Sequence, residues 1–258
     1  MPEVPWYEEF FAEAYPETNR RKVGRPAGER EVEFLIRELR LTPGMRVLDV
    51  GCGAGYHAVP LARRGFKVVG LDLSERMLAD ARAAAREADV AVEWMQSDMR
   101  GLAWQGAFDA VINMFTSFGY FPDDRDNFRV LDGMARALAP GGRLCLHVAS
   151  YPFLLRHWQT RSWSRSDSGW YQLESSDLDL LRGVMNVRCV IVRPNGSQSE
   201  TVNRLRLFAP HELVEWMTRA GLHHVASFGD FSSSAFTLES AGLVMIGERQ
   251  PAPQTPSV

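Results

Sequence analysis

Three observations predict an α/β chain built on a doubly wound, seven-stranded and mostly parallel sheet. A buried-strand pattern at residues 45–50 runs straight into the glycine-rich turn Gly51-Cys52-Gly53-Ala54-Gly55. Short apolar runs then alternate with amphipathic stretches as far as residue 149, and two further strand patterns close the chain. Such alternation with right-handed crossovers gives a sheet covered by helices on both faces, here with an antiparallel last strand. One domain over residues 1–249 is expected, with a Pro-rich disordered tail at 250–258.

The composition is that of an ordinary globular chain: 45% hydrophobic, 24% charged, formal net charge −3. No basic excess invites nucleic acid. The first ten residues carry three glutamates and no Lys or Arg, opposite to a secretory head, and no apolar run has the roughly 18 residues of a membrane span. A cytoplasmic location without membrane attachment is the expectation. Cys52, Cys145 and Cys189 are odd in number and far apart, so neither a disulfide framework nor a metal site is indicated.

In chain order, residues 6–15 mix aromatics with glutamates in a helical pattern closed by Pro16, a polar basic stretch follows at 18–25, and 29–41 carry a helical apolar face at Val32, Leu35, Ile36 and Leu39. Residues 45–50 form the first strand, introduced by Pro43-Gly44, and 56–64 a helix. Glycines at alternate positions between them let the chain turn tightly and a ligand lie on bare backbone, with unpaired helix N–H groups beyond. Residues 66–71 form a second strand ending at Asp72, and Ser74 caps a helix to about 88. A third strand at 91–96 closes with Ser97-Asp98-Met99. The fourth, 108–113, leads to Met114-Phe115-Thr116-Ser117-Phe118-Gly119-Tyr120-Phe121-Pro122, apolar yet placed where a loop is due, which suits either a pocket rim or a packing loop.

A helix from Pro122-Asp123-Asp124 to 138, the turn Ala139-Pro140-Gly141-Gly142 and a fifth strand at 143–149 complete the alternation. Residues 150–208 break it: a helical turn at 153–158 and strands at 169–174, 183–192 and 197–208, with Asn195-Gly196 as hairpin turn, make an antiparallel insertion. A helix at 210–220 and strands at 222–228 and 243–248 finish the fold.

Asp49 to Gly55 spells D-x-G-x-G-x-G, whereas the dinucleotide fingerprint needs glycine where Tyr56 stands. With Asp72, Ser97-Asp98-Met99, Asn113 and Pro-Gly-Gly in register, the chain over roughly 28–249 resembles the class I methyltransferases of Rossmann-like fold that use S-adenosylmethionine. The resemblance implies a cofactor site at Gly51, Cys52, Gly53, Asp72, Leu73, Met77, Asp98, Met99 and Asn113. There the turn amides and Arg20 or Arg25 hold the amino-acid part, Asp72 the ribose, and Asp98 with Met99 the adenine, while Leu73 and Met77 cover the ring. S-adenosylhomocysteine is the implied product. It further implies an N-terminal helical cap at about 1–27, and that the insertion at about 150–208 is a lid or a homodimer contact. The fourth-strand loop lacks the Asp-Pro-Pro-Tyr or Asn-Pro-Pro-Tyr of enzymes that methylate base amino groups, and a small-molecule acceptor is expected instead. A non-catalytic nucleoside binder and a nucleic-acid methyltransferase stay open as alternatives. Should the acceptor need to lose a proton, His147 and Tyr120 are the candidate catalytic residues, with His57 behind them. Tyr151 lies just past the fifth strand, where it too would face a pocket.

Overall fold

The computed structural model describes residue 7 and residues 29–166 and 169–250. Its elements are α1 (Glu29–Glu38), β1 (Arg46–Val50), α2 (Ala58–Arg63), β2 (Lys67–Asp72), α3 (Glu75–Glu87), β3 (Glu93–Gln96), a 3-10 turn (Met99–Gly101), β4 (Phe108–Asn113), α4 (Asp124–Ala137) and β5 (Leu138–Ala149). After them come α5 (Tyr151–Arg156), β6 (Arg161–Arg165), β7 (Tyr171–Asp179), β8 (Val184–Val192), β9 (Gln198–Arg206), α6 (Pro210–Arg219), β10 (Leu222–Phe228) and β11 (Gly242–Arg249). The seven-stranded sheet runs in the order β10-β11-β5-β4-β1-β2-β3, and β11 alone lies antiparallel to its neighbours. A second, four-stranded antiparallel sheet, β6-β7-β8-β9, is the insertion.

The apolar runs are buried on both faces of the sheet. Leu48, Val50, Val111, Leu144 and Leu146 pack with Val130, Leu131 and Met134 of α4 and Leu213 and Met217 of α6. Val47, Ala110, Ile112 and Cys145 pack with Val32, Leu35, Ala58 and Leu61 of α1 and α2. Burial of each such side chain contributes roughly 1.5–3 kcal/mol. At Gly70 the Trp94 indole lies against β2 so closely that a Cβ would fall 2.5 Å from Cζ3, which leaves room only for glycine. Helix starts follow side-chain caps: Ser74 accepts from Met77 N–H, Asp123 from Arg125 N–H and Ser150 from Phe153 N–H.

Several sequence-based boundaries need correction. The helix after the glycine turn begins at Ala58, because residues 53–57 are spent in turns. Ala139 to Gly142 is not a turn ahead of β5 but an excursion inside it: Phe108 pairs with Leu138 and Ala110 with Arg143, so four residues of β5 stand opposite Asp109. The insertion holds four strands rather than three, since Arg161–Arg165 pairs with β7, and α5 starts at Tyr151, where Ser150 caps it. The expected cap at 1–27, with Arg20 and Arg25, lies outside the described residues except for Tyr7, and so does the tail from 251.

The insertion is tied back to the core at its end. Arg206 N–H donates to Gly119 O at 2.8 Å and Leu207 N–H to Gly183 O at 2.7 Å, while the Arg206 guanidinium bonds Asp124 and Glu212.

Candidate functional site

At the carboxyl ends of β1, β2 and β4 lies a cavity of about 490 Å³, within the range of small-molecule sites. Residues of four segments line it: Asp49 to His57, Leu71 to Met77, Gln96 to Met99, and the loop after β4; Tyr7 lies at its edge, its ring 5.6 Å from that of Phe121. A central strand followed by a turn without side chains places this opening where the ligand crevice of open α/β sheets lies.

The glycine turn keeps Gly51, Gly53 and Gly55 at positive φ, +73°, +52° and +79°. A Cβ on Gly51 would meet Ser117 Cβ at 2.9 Å, so the loop after β4 closes directly over the turn. Three amides of the turn are bonded within the protein, to β2. Gly51 and Cys52 N–H both donate to Leu71 O, at 2.8 and 3.0 Å, and Gly53 N–H donates to Asp72 Oδ2 at 2.8 Å. The turn therefore offers bare main-chain surface, and its donors lock it onto β2.

Asp72 accepts on both oxygens, Oδ2 from Gly53 and Oδ1 from Ser74 N–H at 2.9 Å. Burial raises its pKa, against the lowering effect of the Ser74, Gly53 and Leu73 amides. Asp49, on the neighbouring strand β1, is 2% exposed, and its Oδ2 has no hydrogen-bond partner among the described residues. Burial pushes its carboxyl up to about 7; nearby His57 and the Ala58 amide lower it, and Asp72 raises it. The residue borders the cavity but this oxygen is enclosed by protein, so a ligand there meets Asp49 through its charge. This acid and the Cβ-free turn fit a ligand with an ammonium group and a nucleoside.

Gly51, Cys52, Gly53, Asp72, Leu73, Met77, Asp98, Met99 and Tyr120 all line the cavity, as the sequence led us to expect. Asp98 also caps the 3-10 turn, accepting from Arg100 N–H at 2.8 Å, and pairs with the Arg100 guanidinium at 2.6 Å. Burial raises its pKa, but the Arg100 hydrogen bonds outweigh that and hold the carboxyl below its usual range. Arg100 bonds Asp126 as well and lies over the Phe121 ring, 4.5 Å from its centroid.

Asn113, His147 and Tyr151 are not on the wall. Asn113 is fully buried and donates through Nδ2 to Val50 O at 2.8 Å, tying β4 to the end of β1. His147 shares the Cys145 face of β5, where its Nδ1 accepts from Phe115 N–H at 3.2 Å and its ring packs edge-on against Phe115 and Phe231. Its Nε2 end lies against Gly242, where a Cβ would fall 2.6 Å away. Phe115 and Thr116 both sit at positive φ, +53° and +63°, so this bond holds a strained loop in place. We expect His147→Ala to leave the Phe115 amide unsatisfied and cost about 1–3 kcal/mol, read as a lowered urea midpoint, while ligand affinity changes little. A variant as stable as the parent would remove this role.

The wall also holds residues without an individual role in the sequence reading: Asp49 stood in the motif, Tyr7 in the expected cap, Ser117 in the possible pocket rim and Tyr56 after the turn, while His57 stood behind His147 and Tyr120. The signal available for His57 was its place right after the glycine turn.

A family model described as a methyltransferase domain matches residues 47–142. A protein of Geobacillus sp. (strain WCH70) named as a methyltransferase is 28% identical over 89% of this chain and 91% of its own length. The glycine/sarcosine N-methyltransferase of Parasynechococcus marenigrum (strain WH8102) is 35% identical over 59% of this chain, which spans a little over half (55%) of that enzyme. The structure of an amino pentose methyltransferase from Micromonospora echinaspora, solved with S-adenosylmethionine bound, superposes with a TM-score of 0.69 at 26% identity, covering 92% of this chain and 97% of the other.

Proposed function

We propose, from a chain that carries the Rossmann-like class I domain of an S-adenosylmethionine-dependent methyltransferase, that it methylates a small-molecule acceptor bound between the glycine turn and the loop after β4. The observation that carries this is the cavity itself, lined by the acids Asp49 and Asp72 and by the rings of Tyr56, Phe115, Tyr120 and Phe121. S-adenosylmethionine supplies an activated methyl group on sulfur. The charge of Asp49 would offset its ammonium from behind the wall, Asp72 would accept from the ribose hydroxyls and Asp98 with Met99 would meet the adenine, while Leu73 and Met77 would cover the ring. Gly51, Cys52 and Gly53 contribute backbone surface. The aromatic wall excludes water and orients the acceptor, and Tyr120 positions it by its hydroxyl. Proximity of this kind supplies several kcal/mol without a strong base.

The test is incubation of the protein with methyl-labelled S-adenosylmethionine and, separately, a small-metabolite extract, RNA and DNA. Label in the small-molecule pool is expected. Label only in nucleic acid would overturn the acceptor class, and binding of S-adenosylhomocysteine without any transfer would favour a non-catalytic binder. No helix among the described residues is long and apolar enough to cross a membrane, and we place the enzyme in the cytoplasm, which cell fractionation checks. The outer face of the insertion exposes Trp163, Tyr171, Leu173 and Val202, and joins two copies in a homodimer; sedimentation equilibrium checks that.

A further inference from the structure

Resting on the methyltransferase reading above, we propose that His57, held by Glu31, takes the proton that the acceptor loses on methylation. His57 is 3% exposed yet is part of the cavity wall. Its Nε2 lies 3.3 Å from Glu31 Oε2 of α1. An ionised carboxylate only accepts, so Nε2 carries the hydrogen and Nδ1 keeps its lone pair. No hydrogen bond to Nδ1 is made among the described residues and the residue is part of the cavity wall, so Nδ1 is the ring nitrogen left for a ligand there.

Two aromatic rings, themselves in contact at 5.3 Å, pack against the imidazole. Tyr56 meets it edge-on at 4.9 Å and Phe115 lies tilted against it at 5.0 Å. Phe115 is itself pinned by His147, which makes His147 a positioning residue acting through Phe115. A carboxylate behind an imidazole whose other nitrogen faces a substrate pocket is the general arrangement of an oriented base. Asp49 lies near enough on the same wall for its charge and that of His57 to be felt by one another, and Glu31 is partly buried behind the ring.

The balance is simple. The acceptor's nitrogen or oxygen lone pair forms the bond to the methyl carbon, the carbon–sulfur pair stays on sulfur as a neutral thioether, and the acceptor's proton passes to Nδ1. From there it leaves to solvent when product departs.

Two measurements decide. In 15N-histidine-labelled full-length protein saturated with S-adenosylhomocysteine, the two-bond nitrogen–proton pattern of His57 should report the Nε2–H tautomer at neutral pH; an Nδ1–H tautomer would overturn the proposal whatever the acceptor is. With the labelled small-metabolite extract, His57→Gln should lower transfer by about 10²- to 10⁴-fold and abolish the acid limb of the pH–rate profile, with S-adenosylhomocysteine affinity within threefold of the parent. Glu31→Gln should move transfer the same way by less. Transfer by His57→Gln within threefold of the parent, or a loss that merely tracks S-adenosylhomocysteine affinity, would overturn the role. If the parent fails to bind S-adenosylhomocysteine at all, the methyltransferase reading has failed and the proposal with it. Should His57→Gln not fold, the tautomer of the parent alone gives the answer.

Discussion

Calorimetric titration of S-adenosylhomocysteine into Asp72→Ala should show affinity lowered at least tenfold and up to about 150-fold, the 1.5–3 kcal/mol of hydrogen bonds to a charged acceptor. Two losses act together. The ribose hydroxyls lose their acceptor, and the amides of Gly53 and Ser74, now bonded to its two oxygens, are left without one. The second loss loosens the turn on which the ligand lies, so the alanine variant should also unfold at lower urea. Asp72→Asn separates the two, because its remaining oxygen still receives one amide while the charge is gone. It should recover part of the stability and little of the affinity. Unchanged affinity in Asp72→Ala would refute the ribose assignment.

A larger effect is expected at Asp49, and its sign depends on pH. The carboxyl releases its proton near pH 4 when unfolded and near 7 when folded, because burial there disfavours the charge. Between those values the folded state binds more protons than the unfolded one, so this group's contribution to stability is full below about pH 4 and is lost as pH rises through about 7. The loss amounts to roughly 4 kcal/mol from that shift. Asp49→Asn, which carries no such charge, should therefore match the parent near pH 4 and exceed its unfolding free energy increasingly towards pH 8. Saturating S-adenosylhomocysteine should narrow the gap, since its ammonium in the adjoining cavity compensates the buried charge. Parallel stability curves for the two proteins from pH 4 to 8 would show that Asp49 has no raised pKa. The variant should bind the ligand more weakly although it is the more stable protein, the pattern expected where a site is built at the expense of the fold.

The parallel core was legible because its strands read as unbroken apolar runs and the glycine turn has few other uses. The same property hid which face each strand-end residue takes. With both faces buried there is no polar alternation to read, so Asn113 and His147, at or near the ends of β4 and β5, looked equivalent to pocket residues when one bonds Val50 O and the other the Phe115 amide. Strand β6 escaped notice because Arg161 to Arg165 is exposed throughout and only Trp163 is apolar; its place is set by pairing with β7, a long-range contact that local pattern does not encode. Ala139 to Gly142 carries turn chemistry, and the chain does bulge there, but the pairing of Leu138 and Arg143 with β4 on either side of it keeps it within a strand. Asp98 sits where the resemblance puts it, and its cap on the 3-10 turn was foreseeable from its spacing to Arg100.

Among the described residues strand β6 has an edge with no neighbour, since β7 lies on its other side. Such a row of open amides and carbonyls invites a strand from another molecule, and with Trp163 in its middle it has the makings of an aggregation seed. Arg161 and Arg165 stand at its two ends, so two such edges brought together in either direction set arginine near arginine. Charge of this kind guards the edge only while it is unscreened: at about 1 M salt the Debye length falls to about 3 Å. Storage buffer is thereby a structural variable for this protein. Low ionic strength keeps the insertion's free edge to itself, and concentrated salt removes the guard without unfolding a single residue.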